Sequence, residues 1–371
     1  MHHYMKILHI ISGDFGQGGA ERLVADLTKA QADLGYDVTI CCFRKRAEKT
    51  FDIDDQVKFH SFNKEKGLSI FLPVKIASFI KKNGYDVVNC HLFAVFLYMI
   101  WSLLVCRKPK FFYTIHNNPL GEEKRGWVNK IRGYFFKKKR IIPIAISQQI
   151  KSGFENLYGI KDIPVILNGR CDLQKTQEFE TAYKEIASYK KTDNTKVFIA
   201  VGRVMTQKNY PLLISAMNKL TNEDVILVII GRMDDEAFSI CNAINKGKTY
   251  LLGSKSNVQD YLFCADIFCM SSIYEGLPIS MIEAMSVGLP IVSTNVGGIP
   301  DIIEDGVNGF LVNDLDTGTY FASLKKALTQ APSEYKTISE RNKHDFKQKY
   351  DISGTAKSYI NLYLSIIKST K

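Results

Sequence analysis

Apolar positions recur at two periods that alternate along the chain. Compact apolar runs fall at 6–12, 38–43, 57–62, 86–91, 111–116, 141–147 and 164–167, and their shortness predicts strands buried on both faces. The segments between them, one running to Gly35 and others at 69–82, 93–106, 122–140 and 148–158, are longer and read as helices. A polar, charged stretch at 170–194 reads as a connection. The alternation then starts again, with strands at 197–202, 224–231, 249–253, 266–270 and 290–294 and helices from Tyr210, after 231 and from 278. Strands alternating with helices predict an α/β fold with parallel sheets. The strand–loop–helix opening at 197–210 repeats the one at 6–35, so two similar domains are expected at 1–170 and 171–350, and 371 residues suit two. The tail at 351–371 places Ala356, Tyr359, Ile360, Tyr363 and Ile367 on one helical face.

Charge changes this picture because it is uneven. The chain carries 49 Lys and Arg against 38 Asp and Glu, a net +11. Residues 1–170 hold 27 basic against 15 acidic residues, and the remainder holds 22 against 23. The excess therefore lies in the first half, where it predicts an anionic partner: a membrane surface, a lipid phosphate or nucleic acid. The densest basic run, Lys137-Lys138-Lys139-Arg140, follows Tyr134-Phe135-Phe136 at the end of the 122–140 helix. It reads either as a solvated helix end that suits the dipole or as an interfacial patch with aromatics at headgroup depth. The apolar run of 14 residues at 93–106 is too short to cross a bilayer, which takes about 20. A buried helix is its first reading and a membrane-dipping segment its second. The eight cysteines show no C-x-x-C spacing and mostly lie in apolar runs, as buried free thiols do. No signal peptide precedes Lys6, so the expected compartment is a reducing cytoplasm. His2 and His3 are too few for a metal site.

The candidate chemistry concentrates at 271–290. Glu275 follows the strand at 266–270 and sits in a turn marked by Gly276 and Pro278; Glu283 lies inside the helix that follows. The amides of Gly276, Leu277 and Ile279 fall near the helix start, where backbone donors lack intrahelical partners. Two carboxylates beside such donors suit a ligand with hydroxyls to hold and an anion to cradle, as a nucleoside diphosphate sugar has. Arg203 and Lys208 flank the loop after the 197–202 strand, and a guanidinium fork with an ammonium can hold a diphosphate without metal. In the first half, Gly18-Gly19 close a glycine loop after the first strand, and His116 ends the strand at 111–116, on the edge where parallel sheets bind ligands. His91 also ends a strand. The glycine loop is not G-x-G-x-x-G and no acidic residue ends the next strand, which argues against a nicotinamide cofactor.

Glu275 and Glu283, seven residues between them, stand within Tyr-Glu-Gly-Leu-Pro…Glu-Ala-Met…Gly-Leu-Pro-Ile-Val. This stretch resembles the signature of the retaining family 4 glycosyltransferases, whose GT-B fold has two Rossmann-like domains facing each other across a cleft. Gly-Arg-x-x-x-x-Lys-Asn at 202–209 resembles that family's diphosphate clamp. Gly18-Gly19 resemble its first-loop glycines, Asn168-Gly169 the turn closing its first domain, and Gly297-Gly298-Ile299-Pro300 a recurring loop. The resemblance implies that Glu275 accepts from the sugar's hydroxyls and Glu283 from the ribose, that His116 bonds the donor's C6 hydroxyl, and that the base is held around Lys255 and Val258. It also implies a C-terminal helix that crosses back to the first domain, and no metal or other cofactor. The implied function is retaining transfer of a hexose or N-acetylhexosamine, UDP-linked by preference, to a glycan or polyprenyl-linked acceptor in surface polysaccharide or glycolipid synthesis. With the basic first domain, this places the chain on the inner face of the cell membrane.

Two rivals stand beside this reading. The same fold hosts nucleotide-sugar 2-epimerases; the Glu spacing and the Gly-Arg…Lys clamp favour transfer over epimerisation. A basic nucleic-acid-binding protein would fit the charge, but basic–aromatic repeats are absent and the excess is confined to one domain. The Asp-x-Asp pairs of metal-dependent transferases occur by letter at Asp52/Asp54 and Asp314/Asp316, beside turn-like sequence, and are discounted.

Overall fold

The computed structural model describes residues 5–16, 18–47, 51–117 and 126–369. The predictions for His2, His3 and the start of the 122–140 helix fall outside them. The chain divides into two compact units, one of Met1–Cys171 with Tyr350–Lys371 and one of Asp172–Lys349.

The N-terminal unit is built on six parallel strands, β1 (Lys6–Ile11), β2 (Asp37–Cys42), β3 (Lys58–Ser61), β4 (Val87–His91), β5 (Lys110–Ile115) and β6 (Ile142–Ala145), in the order β3-β2-β1-β4-β5-β6. Helices α1 (Gly19–Asp33), α2 (Leu72–Asn83), α3 (Phe93–Val105), α4 (Gly126–Lys137) and α5 (Gln148–Tyr158) provide the crossovers. Helices on both faces bury β1, β2 and β4 along nearly their whole length, which is why those strands read as unbroken apolar runs. The strand expected at 164–167 is reduced to a single bridge between Val165 and Ala145. Pro164 lacks the N–H that a longer ladder needs there. Arg132 of α4 is buried among the rings of Phe96, Tyr113, Phe136 and Tyr158, 5.1–5.9 Å from their centroids.

The C-terminal helix (Ile352–Lys368) belongs to this unit. Asp351 caps it by accepting from Ser353 N, and the chain enters it past the Arg170 N–H···O Tyr350 bond of 2.8 Å. It packs on α1 through the predicted face, with Ala356, Tyr359, Ile360 and Tyr363 buried. Asn89 donates to the Tyr363 hydroxyl at 2.9 Å, and Tyr359 and Thr114 share a hydrogen bond of 3.2 Å, so its tyrosines pin the helix to β4 and β5.

The C-terminal unit repeats the plan. Strands β7 (Lys196–Val201), β8 (Val225–Ile230), β9 (Thr249–Leu251), β10 (Ile267–Met270), β11 (Ile291–Thr294) and β12 (Gly309–Val312) are parallel in the order β12-β11-β10-β7-β8-β9. The helices are α6 (Phe179–Tyr189), α7 (Tyr210–Met217), α8 (Asp235–Ile244), α9 (Val258–Phe263), α10 (Ile279–Ser286), α11 (Thr317–Leu328) and α12 (Pro332–Asp345). α6 corrects the reading of 170–194 as mere connection. Ala182 and Ile186, four apart, are buried, and Tyr189 at its end stacks on Tyr250 at 4.1 Å. In each sheet the chain starts in the middle and winds outward both ways. The order reverses between β1 and β4 in one unit and between β7 and β10 in the other, and ligands bind at such reversals, outside the carboxyl ends of the strands.

Candidate active site

At the β7/β10 reversal three loops are knitted together. The loop after β7 forms a short 3-10 turn, Thr206–Lys208, and Asn209 then takes a left-handed conformation (φ 48°) to start α7. The loop after β10 lies against it: Ile273 N donates to Gln207 O at 2.8 Å, Gln207 Nε2 to Tyr274 O at 2.9 Å, and Ser271 Oγ to Lys208 O at 2.8 Å. These bonds bring Lys208 Nζ to 2.6 Å from Glu275 Oε1, which also accepts from Ser272 Oγ at 2.6 Å. Both side chains of the ion pair are largely buried, at 15% and 8% exposure. Such a pair fixes two opposite charges in a dry, rigid place, and removing one partner strands the other.

The loop after β11 closes the arrangement. Thr294 Oγ1 donates to Ser272 O at 2.7 Å and Gly298 N to Gly276 O at 2.9 Å. Gly297 is left-handed (φ 61°) and lies so close beneath Glu275 that a Cβ there would come within 1.8 Å of Glu275 O. Gly276, Leu277 and Ile279 are buried and lead into α10, whose first amides precede the helical ladder. Glu283 is half-buried one turn along α10, and Arg203 is exposed at the start of the β7 loop. Lys208, Glu275 and the α10 start are thus assembled at one sheet reversal.

Lys255 and Val258 lie elsewhere in the same unit, in the segment that follows β9. Lys255 Nζ is 2.9 Å from both Glu185 carboxylate oxygens, and Tyr261 OH donates to the same carboxylate. Those contacts hold the Glu185 carboxyl below its ordinary value against the burial that opposes them. Val258 starts α9, half-buried. Glu185 was missed because α6 was missed. Of the discounted acids, Asp54 pairs with Lys29 at 2.8 Å and Asp316 caps α11 by accepting from Gly318 N and Thr319 N.

In the N-terminal unit Gly18 is the extended cap of α1, which begins at Gly19. His116 directly follows β5. His91 Nδ1 and His116 Nε2 are 2.9 Å apart, His9 Nδ1 and His91 Nε2 are 2.9 Å apart, and His9 Nε2 is 2.8 Å from Gln31 Oε1. His9 and Gln31 escaped the sequence reading. A histidine inside the apolar run 6–12 was the available signal.

The surface of this unit corrects two predictions. Phe135 and Phe136 are buried, so of the three aromatics before the lysine run only Tyr134 faces solvent. Tyr134 borders an open groove of about 390 Å³ between α4 and α5, where Lys130 and Lys137 also lie. Conversely, α3 is not wholly buried: Ala94, Trp101 and Leu104 are exposed on one face. Arg140 Nη2 donates to Leu103 O at 2.5 Å, which sets the basic run beside that face. Leu68, Ile70, Phe71 and Val74, before and within α2, are also exposed, and α2 packs on α3. Among the described residues no helix is long and apolar enough to cross a membrane.

The family model for glycosyl transferases group 1 matches residues 183–345, and that for glycosyltransferase family 4 matches residues 17–170. The chain is 26% identical, over 85% of its length and 86% of the relative's, to the UDP-Gal:α-D-GlcNAc-diphosphoundecaprenol α-1,3-galactosyltransferase of Escherichia coli. It is 22% identical, over 81% of its length and 80% of the relative's, to the N-acetyl-α-D-glucosaminyl L-malate synthase of Bacillus anthracis. Among solved structures it superposes on a Rickettsia africae glycosyltransferase with a TM-score of 0.80, at 18% identity, covering 99% of this chain and 100% of that one. An Anabaena protein in complex with UDP and glucose gives 0.79 at 18% identity, covering 98% and 100%. One matched family segment falls in each unit, each unit carries the same doubly wound sheet, and the chain is a family 4 glycosyltransferase of the GT-B fold.

Proposed function

We propose that this glycosyltransferase moves a hexose or N-acetylhexosamine, with retention and without metal, from a UDP-sugar to a glycan or polyprenyl-linked acceptor of surface polysaccharide or glycolipid synthesis. The observation that carries the reading is the buried Lys208–Glu275 pair at the β7/β10 reversal, beside the start of α10. The barrier to transfer is departure of a diphosphate from an oxocarbenium-like centre. Charge grows on that leaving group, and the protein lowers the barrier by having cationic and N–H groups already in place. Lys208, fixed by Glu275, supplies one positive charge there, exposed Arg203 a second, and the α10 amides the backbone donors. Glu275, ionised to pair with Lys208, has acceptor capacity left for a sugar hydroxyl, and Glu283 accepts from the ribose. The leaving phosphate takes the acceptor's proton on the face it departs from, which retains configuration without a protein nucleophile. The E. coli relative, named for a UDP-galactose donor and a diphosphoundecaprenol acceptor, favours a UDP-sugar and a lipid-linked acceptor here.

A lipid-linked acceptor implies contact with a membrane surface. The apolar outer face of α3, with Trp101 and Leu104 beside Arg140, supports that contact in the N-terminal unit, where the excess basic charge lies.

Thermal denaturation with UDP-, GDP- and ADP-sugars, with and without EDTA, tests the donor. A marked rise with UDP-sugars alone, unaffected by EDTA, is expected. A rise that requires a divalent ion, or a 2-epimer formed from UDP-sugar without any acceptor, would overturn the proposal.

A further inference from the structure

A line of buried polar groups runs through the N-terminal unit, from α1 to the carboxyl edge of its sheet. His9 pairs in register with Asn89, and His91 with Thr114. Each step from His9 to His91 to His116 therefore crosses one strand and advances two residues. Advancing by two keeps a side chain on the same face of the sheet, so the three rings meet edge to edge. The contacts are 2.8 Å from Gln31 Oε1 to His9 Nε2, 2.9 Å from His9 Nδ1 to His91 Nε2, and 2.9 Å from His91 Nδ1 to His116 Nε2. Gln31, His9 and His91 are fully buried, and His116 is 8% exposed.

A neutral imidazole has one N–H and one acceptor nitrogen. Burial keeps these rings neutral, pushing His9 and His116 down to about 4 and His91 well below its ordinary value. Three neutral rings then bring three protons to three hydrogen bonds, and the group at one end sets the direction of the line. The Gln31 carbonyl oxygen can only accept. His9 donates to it from Nε2 and must accept at Nδ1. His91 donates from Nε2 to that nitrogen, and His116 donates from Nε2 to His91 Nδ1. Every proton points inward, and His116 Nδ1 keeps its lone pair. Among the described residues no other group bonds that nitrogen.

We infer that Gln31, His9 and His91 are positioning residues for glycosyl transfer: their hydrogen-bonded line holds His116 as the Nε2–H tautomer, so that Nδ1 accepts from a substrate hydroxyl. This rests on the assignment of His116 to the sugar site. A carboxamide suits the end of such a line, because it directs the protons without bringing a charge into the interior.

Nitrogen-15 NMR of the histidine-labelled full chain at neutral pH reads the tautomer directly. His116 should show a bare Nδ1 and a protonated Nε2, and a protonated Nδ1 overturns the inference. His91→Phe breaks both of its bonds. Its kcat should fall about tenfold, the worth of one hydrogen bond, with the KM for donor unchanged. His91→Gln, which can accept from His116 and donate to His9, should restore most of that rate. An unchanged kcat in His91→Phe, or a His91→Gln variant as slow as His91→Phe, would sink the proposal. The donor-induced rise in melting temperature should survive in both variants; its absence from the wild-type protein would instead defeat the reading of the C-terminal unit.

Discussion

Gly297→Ala is the sharpest perturbation of the C-terminal site, because it touches Glu275 without altering any group proposed to contact ligand. An ideal Cβ at Gly297 would lie 1.8 Å from Glu275 O, 2.7 Å from Glu275 C and 3.1 Å from Glu275 N. Ordinary contact begins near 3.4 Å, so the Glu275 backbone must retreat by roughly 1.6 Å. Both sides resist. Gly297 sits between β11 and the Gly298–Gly276 bond, and Glu275 is anchored by Lys208 and Ser272. A left-handed alanine costs about 1 kcal/mol and overpacking a further 1–3 kcal/mol, so a loss of about 2–4 kcal/mol in stability is expected. A displacement above 1 Å in a positioning group is worth about a hundredfold in rate. Gly306→Ala is the matched control: it has φ 76° but no atom within 4 Å of the new methyl, so only the backbone term of about 1 kcal/mol applies. Urea denaturation gives the stabilities, and release of nucleoside diphosphate under saturating donor gives the rates. If Gly297→Ala and Gly306→Ala lose equal stability and both keep wild-type rates, the steric argument is wrong.

Three further expectations concern other parts of the chain. Burial lowers His9 and His116 from 6.5 to about 4, so the unfolded chain binds protons that the folded one refuses. Their contribution is complete above pH 6.5 and falls on acidification toward pH 4 by about 1.4 kcal/mol per pH unit for each ring; urea midpoints that stay flat from pH 7 to 5 would contradict it. Glu185→Ala frees Lys255 and Tyr261, and if Lys255 helps hold the base, KM for the donor should rise about tenfold at unchanged kcat; a selective fall in kcat would place Lys255 nearer the chemistry. Replacing Trp101 and Leu104 by Ser removes two exposed apolar groups worth roughly 1.5–3 kcal/mol each when buried, so sedimentation with anionic vesicles should drop about a hundredfold; equal sedimentation would remove α3 from the membrane contact.

The reach of the sequence differed from element to element. The α5 range of 148–158 and the buried face of the C-terminal helix were legible because helical periodicity is local. The α6 helix was hidden by the charged residues on either side of it: 179–189 itself carries Phe179, Ala182, Tyr183, Ile186 and Tyr189, yet only Ala182 and Ile186 are buried, and that burial depends on what covers them. In the same way the composition of 93–106 could not show that Trp101 and Leu104 face outward, or that of 134–136 that two of the three aromatics face inward.

What the sequence determined by itself was the alternating strand–helix plan, laid down once in each half, and the residue types that carry the site. Both follow from short-range pattern: apolar runs bounded by glycine loops, and acids or cations placed just past a strand. What only the tertiary structure decided was partnership. Lys208 and Glu275 are separated by 66 residues of chain, and His9 and His116 by 106, yet register and loop packing bring one pair into contact and thread the other along a single line. Hydrogen bonds and ion pairs act over about 3 Å of space whatever the separation in sequence, so a linear pattern names the groups while folding selects which of them meet.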